Sequence, residues 1–79
     1  MSLTSKAPGA PLSPRERDIV QLASGGYCDA EIADDLKISV HTVCEYWRYR
    51  IRPVLGAENR THAVALAVAQ GLASPQVTA

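Results

Sequence analysis

The segment DAEIADDLKISVHTVCEYWRYRIRP, residues 29–53, decides the fold of this 79-residue chain. In its first part, residues 29–36, the apolar side chains recur at helical spacing and predict a short helix. Ser39 is a typical N-cap residue, and the apolar residues after it again keep a helical period. The segment therefore predicts helices at about 29–36 and 40–52, joined by the tight connection Lys37-Ile38.

The boundaries of these two helices rest on a few residues. The first helix is capped either by Asp29 or by Cys28, with Glu31 behind it. Pro53 lacks an amide hydrogen and disfavours helix at Arg52, so the second helix is expected to stop or kink there. The residues that trace its apolar face are Val40, Val43, Cys44, Trp47, Ile51, Val54 and Leu55.

Two more helices flank this pair. Ser13, Pro14 and Glu16 form a capping box for a helix at about 14–24, which ends at two glycines. Asn59 can cap a last helix at about 60–70, closed by Gly71. The expected fold class is all-α with four helices.

The ends of the chain differ in composition from its middle. Residues 1–11 are largely Pro, Gly, Ser and Thr, which predicts a disordered N-terminal tail. Residues 73–79 predict a flexible C-terminal tail, which leaves 12–72 as one domain. A domain of this size buries little surface, so support from a partner chain is expected.

Composition excludes several classes of protein. No apolar run is long enough to span a membrane, so no membrane partner is expected. Two cysteines do not predict a disulfide framework, and a reducing cytoplasm is the expected compartment. The net charge is zero, but acidic residues prevail in residues 1–36 and basic residues in 37–79. Local positive charge therefore leaves an anionic partner open.

A short helix, a tight turn and a second helix with polar and basic side chains outward form the layout of a helix-turn-helix. In that motif the second helix enters the major groove of DNA, and its N-terminal residues meet base edges. The residues predicted to face bases are Val40, His41, Thr42, Glu45, Tyr46 and Tyr49, and those predicted to neutralise phosphates are Arg48, Arg50, Arg52 and Arg60. The alternative is that the arginines form a solvated surface that binds nothing.

The fourth helix is apolar all round from residue 63 to residue 69. A helix without a polar face needs a second buried surface, and a symmetry mate is the simplest source of one. The predicted homodimer interface consists of Ala63, Val64, Leu66, Ala67 and Val68.

Three motifs in order resemble the LuxR-type (GerE-like) DNA-binding domain. They are LSPRERDIVQLASGG at 12–26, AEIADDLKIS followed by HTV at 30–43, and LGAENRTHAVALA at 55–67. The resemblance implies a four-helix, sequence-specific transcription regulator that binds double-stranded DNA through its third helix and dimerises largely through its fourth. It also implies a protein that is not an enzyme, needs no cofactor and lies in a bacterial or phage-like cytoplasm, associated with the nucleoid. The length is similar to that of standalone members.

The family pattern also implies roles for matching residues. Glu16 and Glu31 cap helices and tie to Arg60 or to nearby amides, while Thr42 and Arg60 match positions that often touch the phosphate backbone. The core positions implied by the pattern are Leu22, Ile32, Ala33, Leu36, Ile38, Val43 and Leu55.

Several departures from the family pattern bear on DNA binding. Cys44 stands where the family usually has a phosphate-contacting lysine, and Asp34 and Asp35 replace basic or neutral residues. The stretch 43–56 is one residue longer than usual, and an extra residue rotates the rest of a helix by about 100°. The phosphate contacts are then either moved to the arginines of the third helix or lost.

Two other interpretations compete with DNA binding. The rival is a protein-interaction module of helix-turn-helix descent that binds RNA polymerase or another regulator, with weak or no DNA binding. The candidate zinc ligands are Cys28, His41, Cys44 and His62. Their spacing matches no common zinc site, so two free cysteines and no metal are expected. No arrangement of catalytic residues is evident.

Overall fold

A computed structural model describes residues 12–74, and this part of the chain is helical without any β-strand. Helix α1 is Pro14–Ser24 and helix α2 is Asp29–Leu36. Helix α3 covers residues 40–55 in three continuous segments, which are Val40–Tyr46, the π-helical turn Trp47–Ile51, and Arg52–Leu55. Helix α4 is Arg60–Ala69. The four predicted helices are confirmed.

Side-chain caps fix the starts of α1 and α2. The Ser13 hydroxyl accepts a hydrogen bond from the Glu16 amide at 3.2 Å, and the Glu16 carboxylate accepts from the Ser13 amide at 2.9 Å. At α2 the cap is Cys28, whose amide donates to the Glu31 carboxylate at 2.9 Å. Of the two caps left open by the sequence, the structure therefore has Cys28, with Asp29 as the first helical residue.

The caps of α3 and α4 are those that the sequence predicts. The Ser39 hydroxyl accepts from the Thr42 amide at 3.0 Å, and the Asn59 side chain accepts from the His62 amide at 2.8 Å. Between α2 and α3, Lys37 takes the left-handed conformation with φ of 62°. Since only glycine adopts this conformation without steric cost, the tight turn is held at some expense in stability.

The expectation that α3 stops near Arg52 is wrong, because the helix continues through Pro53 to Leu55 and ends at Gly56, although a π turn interrupts its regular geometry just before Arg52. The Arg52 amide donates to the carbonyl of Trp47, five residues back, which widens this turn. Pro53 then lies directly after the π segment, near the start of the last α-helical segment of α3.

The wide turn also keeps the apolar face of α3 toward the core. In a regular α-helix, side chains at successive four-residue spacings drift by about 40° per step. Val43, Trp47, Ile51 and Leu55 have this spacing, yet the first three are buried and Leu55 packs against them. A turn with more residues per turn removes part of the drift. The extra residue therefore does not rotate the end of α3 away from the core.

The core is aliphatic around one indole ring. Of the core positions implied by the family pattern, Ile32, Ala33 and Val43 are buried, while Leu22, Leu36, Ile38 and Leu55 are partly buried and pack around them. The remaining buried apolar residues are Leu12, Ile19, Val20, Ala23, Trp47, Ile51, Ala63, Ala67 and Ala73. Three residues expected on the apolar face of α3, namely Val40, Cys44 and Val54, are exposed instead.

The packed domain extends beyond its predicted boundary at residue 72. Ala73 is buried, and the Gln21 side chain donates to the Ser74 carbonyl at 2.6 Å and accepts from its amide at 2.9 Å. Ser74, which the sequence assigns to a flexible C-terminal tail at 73–79, is thus bonded to α1. The predicted N-terminal tail, 1–11, and residues 75–79 lie outside the described residues.

Candidate nucleic-acid interface

The outer face of α3 gathers the residues that the sequence predicts to face bases. Val40, His41, Glu45 and Tyr49 are exposed, whereas Thr42 and Tyr46 are half-buried. All of these side chains except Val40 line two neighbouring depressions. One, of about 450 Å³, is lined by Ser13, Glu16, Thr42, Glu45, Tyr46, Tyr49 and Arg50. The other, of about 130 Å³, is lined by His41, Cys44, Glu45, Arg48 and Tyr49.

Glu45 and Tyr49 border both depressions and so lie at the centre of this face. The Glu45 carboxylate pairs with His41, whose Nε2 is 3.2 Å from Glu45 Oε2. His41 and Glu45 are one helical turn apart, and their side chains are 81% and 52% exposed. A solvated carboxylate therefore occupies the centre of the surface that the sequence predicts to face bases.

Arg50 is anchored by a buried carboxylate on α1. Its Nε donates to Glu16 Oε2 at 3.0 Å, while Glu16 Oε1 accepts the Ser13 amide. Glu16 is only 3% exposed, whereas the Arg50 side chain is 64% exposed. Glu16 therefore ties to Arg50 and not to Arg60, and it holds the guanidinium at the rim of the larger depression.

Arg52 lies further along α3 and is half-buried. Its Nη2 donates to the Glu58 carbonyl at 2.6 Å, in the loop before α4, and its Nε is buried without a hydrogen-bond partner. The Arg52 side chain thus connects the end of α3 to this loop, and little of its positive charge is available to a ligand.

Arg60 belongs to a network around Asp29. Asp29 Oδ1 accepts from Arg60 Nε at 3.0 Å and from Trp47 Nε1 at 3.1 Å. Arg60 also donates to the Tyr27 carbonyl at 2.7 Å, and its guanidinium carbon lies 5.1 Å from the centre of the Trp47 ring. The network joins the N-terminal ends of α2 and α4 to the middle of α3 and so sets the position of α3.

Asp29 is the centre of this network, yet the sequence predicts no more for it than a cap of α2. Its partners Trp47 and Arg60 lie 18 and 31 residues away along the chain. No local spacing predicts contacts at such separations. The one available signal was that Trp47 falls on the apolar face of α3, since a buried indole N–H needs an acceptor.

Arg48 differs from the other three arginines. Its guanidinium carbon lies 5.9 Å from the centre of the Tyr49 ring, and within residues 12–74 it makes no ion pair. Arg48 and the rim-held Arg50 are therefore the two arginines of α3 with the most freely presented charge.

Both cysteines are free and exposed, so the expectation that Cys44 points toward the core is wrong. Its sulfur lies 3.8 Å from Asp29 Oδ2, beyond the length of a strong hydrogen bond. In the part of the chain that the structure describes, no three His, Cys, Asp or Glu side chains converge as metal ligands.

No helix within residues 12–74 has the length and hydrophobicity needed to cross a bilayer.

The predicted dimer residues on α4 fall into two sets. Ala63 and Ala67 are 0% exposed and pack inside the protomer's own core, so they offer no surface to a second copy. Val64, Leu66 and Val68 are partly exposed. Only this second set can contribute to a surface between protomers.

Comparison with known proteins assigns the fold. A family model described as bacterial regulatory proteins of the luxR family, GerE, matches residues 10–67. The transcriptional activator protein BjaR1 of Bradyrhizobium diazoefficiens is 43% identical over 68 residues, which cover 86% of this chain and 28% of BjaR1. The chain thus spans well under half of that relative.

A solved structure supports the same assignment. The structure of the transcription factor GerE superposes with a TM-score of 0.74 at 33% identity, covering 81% of this chain and 94% of GerE. The region that the family model matches, residues 10–67, includes the turn between α2 and α3 and most of α4. This chain belongs to the luxR family of bacterial regulatory proteins, whose LuxR/GerE-type domains are DNA-binding modules of transcription regulators and not enzymes.

Proposed function

We propose that this domain binds double-stranded DNA sequence-specifically as a homodimer, with α3 in the major groove. One observation carries the proposal. The outward side chains of α3 form one exposed face in which polar and aromatic groups line two neighbouring depressions, and the inward ones are buried in the core. The second helix of a helix-turn-helix reads bases with such a face. The residues proposed to face bases are Val40, His41, Thr42, Glu45, Tyr46 and Tyr49.

Phosphate contacts are proposed chiefly for Arg48 and Arg50. Arg48 makes no ion pair in residues 12–74, and the Arg50 side chain is 64% exposed while Glu16 accepts a hydrogen bond from its Nε. Arg52 and Arg60 are largely committed to contacts within the protomer, so their proposed part is to position α3. A phosphate can reach Arg60 only at its exposed edge, since its side chain is 35% exposed.

Dimerisation is proposed through Val64, Leu66 and Val68 on α4. These apolar side chains remain partly exposed after the protomer has folded, and burying them between two copies would be favourable. A symmetric dimer would present two copies of α3 to two half-sites of an operator. The proposed location is the cytoplasm of a bacterium, associated with the nucleoid.

A second candidate function is binding to RNA polymerase or another regulator with little DNA affinity. It is favoured by Asp34 and Asp35, which are exposed on α2, the helix that crosses the phosphate backbone in a helix-turn-helix. Carboxylates there repel DNA. The internal commitment of Arg52 and Arg60 favours it as well.

Fluorescence anisotropy with a mixed-sequence duplex, repeated from low to physiological salt, distinguishes the two functions. If Arg48 and Arg50 of each protomer meet phosphates, log affinity falls with log salt at a slope of about −3.6, or 0.9 per contact. A slope of about −7 would mean that Arg52 and Arg60 also leave their internal partners. Absence of binding at low salt would refute the DNA function and favour a protein partner.

A further inference from the structure

The carboxylate at the centre of the α3 face is unexpected on a surface proposed to bind DNA. Glu45 is surrounded by the groups proposed to meet DNA, where a negative charge opposes the phosphates. Its Oε2 lies 3.2 Å from His41 Nε2, and both side chains are largely exposed. Apart from this i,i+4 contact with His41, Glu45 caps no helix and is not part of the core.

An ionised carboxylate accepts hydrogen bonds and cannot donate them. In the major groove, donors are offered by the N4 amino group of cytosine and the N6 amino group of adenine. Beside the adenine amino group lies N7, an acceptor that repels the second carboxylate oxygen, whereas cytosine offers a C–H at the corresponding place. Guanine and thymine present acceptors. Among the four bases, cytosine therefore suits Glu45 best.

We infer that Glu45 is a specificity-determining residue that selects a C·G base pair in each half-site by accepting a hydrogen bond from cytosine N4. The inference rests on the proposed function, because Glu45 meets base edges only if α3 enters the major groove.

The same carboxylate lowers affinity for every site that lacks the cytosine. Where no amino group is available, Glu45 is desolvated next to an acceptor and close to phosphates, which costs free energy. Glu45 thus acts by repulsion from wrong sites as well as by attraction to the right one. The negative charge of Glu45 also lowers the net positive charge of the α3 face.

The test is selection of bound duplexes from a randomised library by the full chain, with sequencing of the bound pool. The variants are Glu45→Ala and Glu45→Gln, with Glu58→Gln as a control that makes the same charge change at an exposed side chain in the loop before α4, which lines neither depression. We expect the wild type and the control to enrich one C·G pair in each half-site. Glu45→Ala should lose that preference by about tenfold, and Glu45→Gln should shift it toward adenine, which pairs with glutamine.

A second measurement isolates the hydrogen bond. Replacing the selected cytosine with N4-methylcytosine removes the donor that faces the groove, so wild-type affinity should fall about tenfold while Glu45→Ala is little affected. Circular dichroism checks that the variants are folded. If Glu45→Ala enriches the same motif as the wild type, the inference is overturned while DNA binding stands. If no variant enriches any duplex, the proposed function fails together with it.

Discussion

Replacing Asp29 with alanine tests whether the network around this carboxylate holds α3 in place. In the structure one oxygen of Asp29 accepts from both Trp47 Nε1 and Arg60 Nε, at 3.1 Å and 3.0 Å. Trp47 is 4% exposed, so its N–H would lose its acceptor without gaining water. The variant Asp29→Ala should therefore destabilise the domain much more than a typical surface substitution does.

The magnitude depends on the two contacts. Leaving a buried donor unsatisfied costs about 1–3 kcal/mol. The ion pair with Arg60 adds less than about 1 kcal/mol, because both side chains remain partly exposed and water screens their attraction. A total of about 2 kcal/mol is expected, which lowers Tm by roughly 8–16 °C for a domain of this size.

The assay is urea unfolding monitored by circular dichroism, with the fluorescence of the single tryptophan as a second probe. Asp34→Ala, an exposed change on the same helix, is the control and should alter stability by no more than about 0.5 kcal/mol. In a Trp47→Phe background, where the donor is absent, Asp29→Ala should cost about half as much. Equal stability of Asp29→Ala and the control would refute the proposed role of the network.

Four further substitutions test other features. Lys37→Gly should raise the free energy of unfolding by about 0.5–1 kcal/mol, since glycine adopts the left-handed turn conformation without strain, and urea unfolding that shows no gain would contradict this. Glu16→Ala should lower the free energy of unfolding by about 2 kcal/mol, because it removes both the α1 capping box and the anchor of Arg50. A loss of less than about 0.5 kcal/mol in urea unfolding would reject this role of Glu16. Arg48→Ala should make the salt slope of DNA binding shallower by about 1.8 for a dimer, and an unchanged slope would remove Arg48 from the phosphate contacts. Leu66→Asp should give a monomer in sedimentation velocity with little loss of helix content, because Leu66 is partly exposed and does not pack against the core cluster, whereas an intact dimer would exclude this part of α4 from the interface.

Helix boundaries were largely readable from the sequence because caps are local. Ser13 and Glu16 are three residues apart, as are Asn59 and His62, and each pair bonds as its spacing predicts. The bounds of α1 and α2 agree with prediction for the same reason, since glycine or a left-handed residue ends each helix. The family motifs contain these same capping signals, and they predicted the all-α fold class.

Predictions from local sequence rules failed where tertiary packing stabilised a different backbone conformation. Pro53 is a strong helix breaker, yet the π turn at Trp47–Ile51 lets α3 pass through it. Burial of Trp47 and Ile51 stabilises this wider turn, because it keeps both side chains in the core. The sequence contains the extra residue, but only packing decides whether it rotates the helix or is absorbed.

By itself, the sequence determined four capped helices, the helix-turn-helix and the residues along α3, since these depend on contacts within one or two turns. Only the tertiary structure decided which charges remain available to a partner. Four arginines look equivalent in the sequence, but Glu16 holds Arg50, the Glu58 carbonyl holds Arg52, and Asp29 holds Arg60. The acceptor of Arg50 lies 34 residues away and that of Arg60 lies 31 residues away. Such pairs are brought together by the packing of apolar faces, and no spacing in the sequence encodes them.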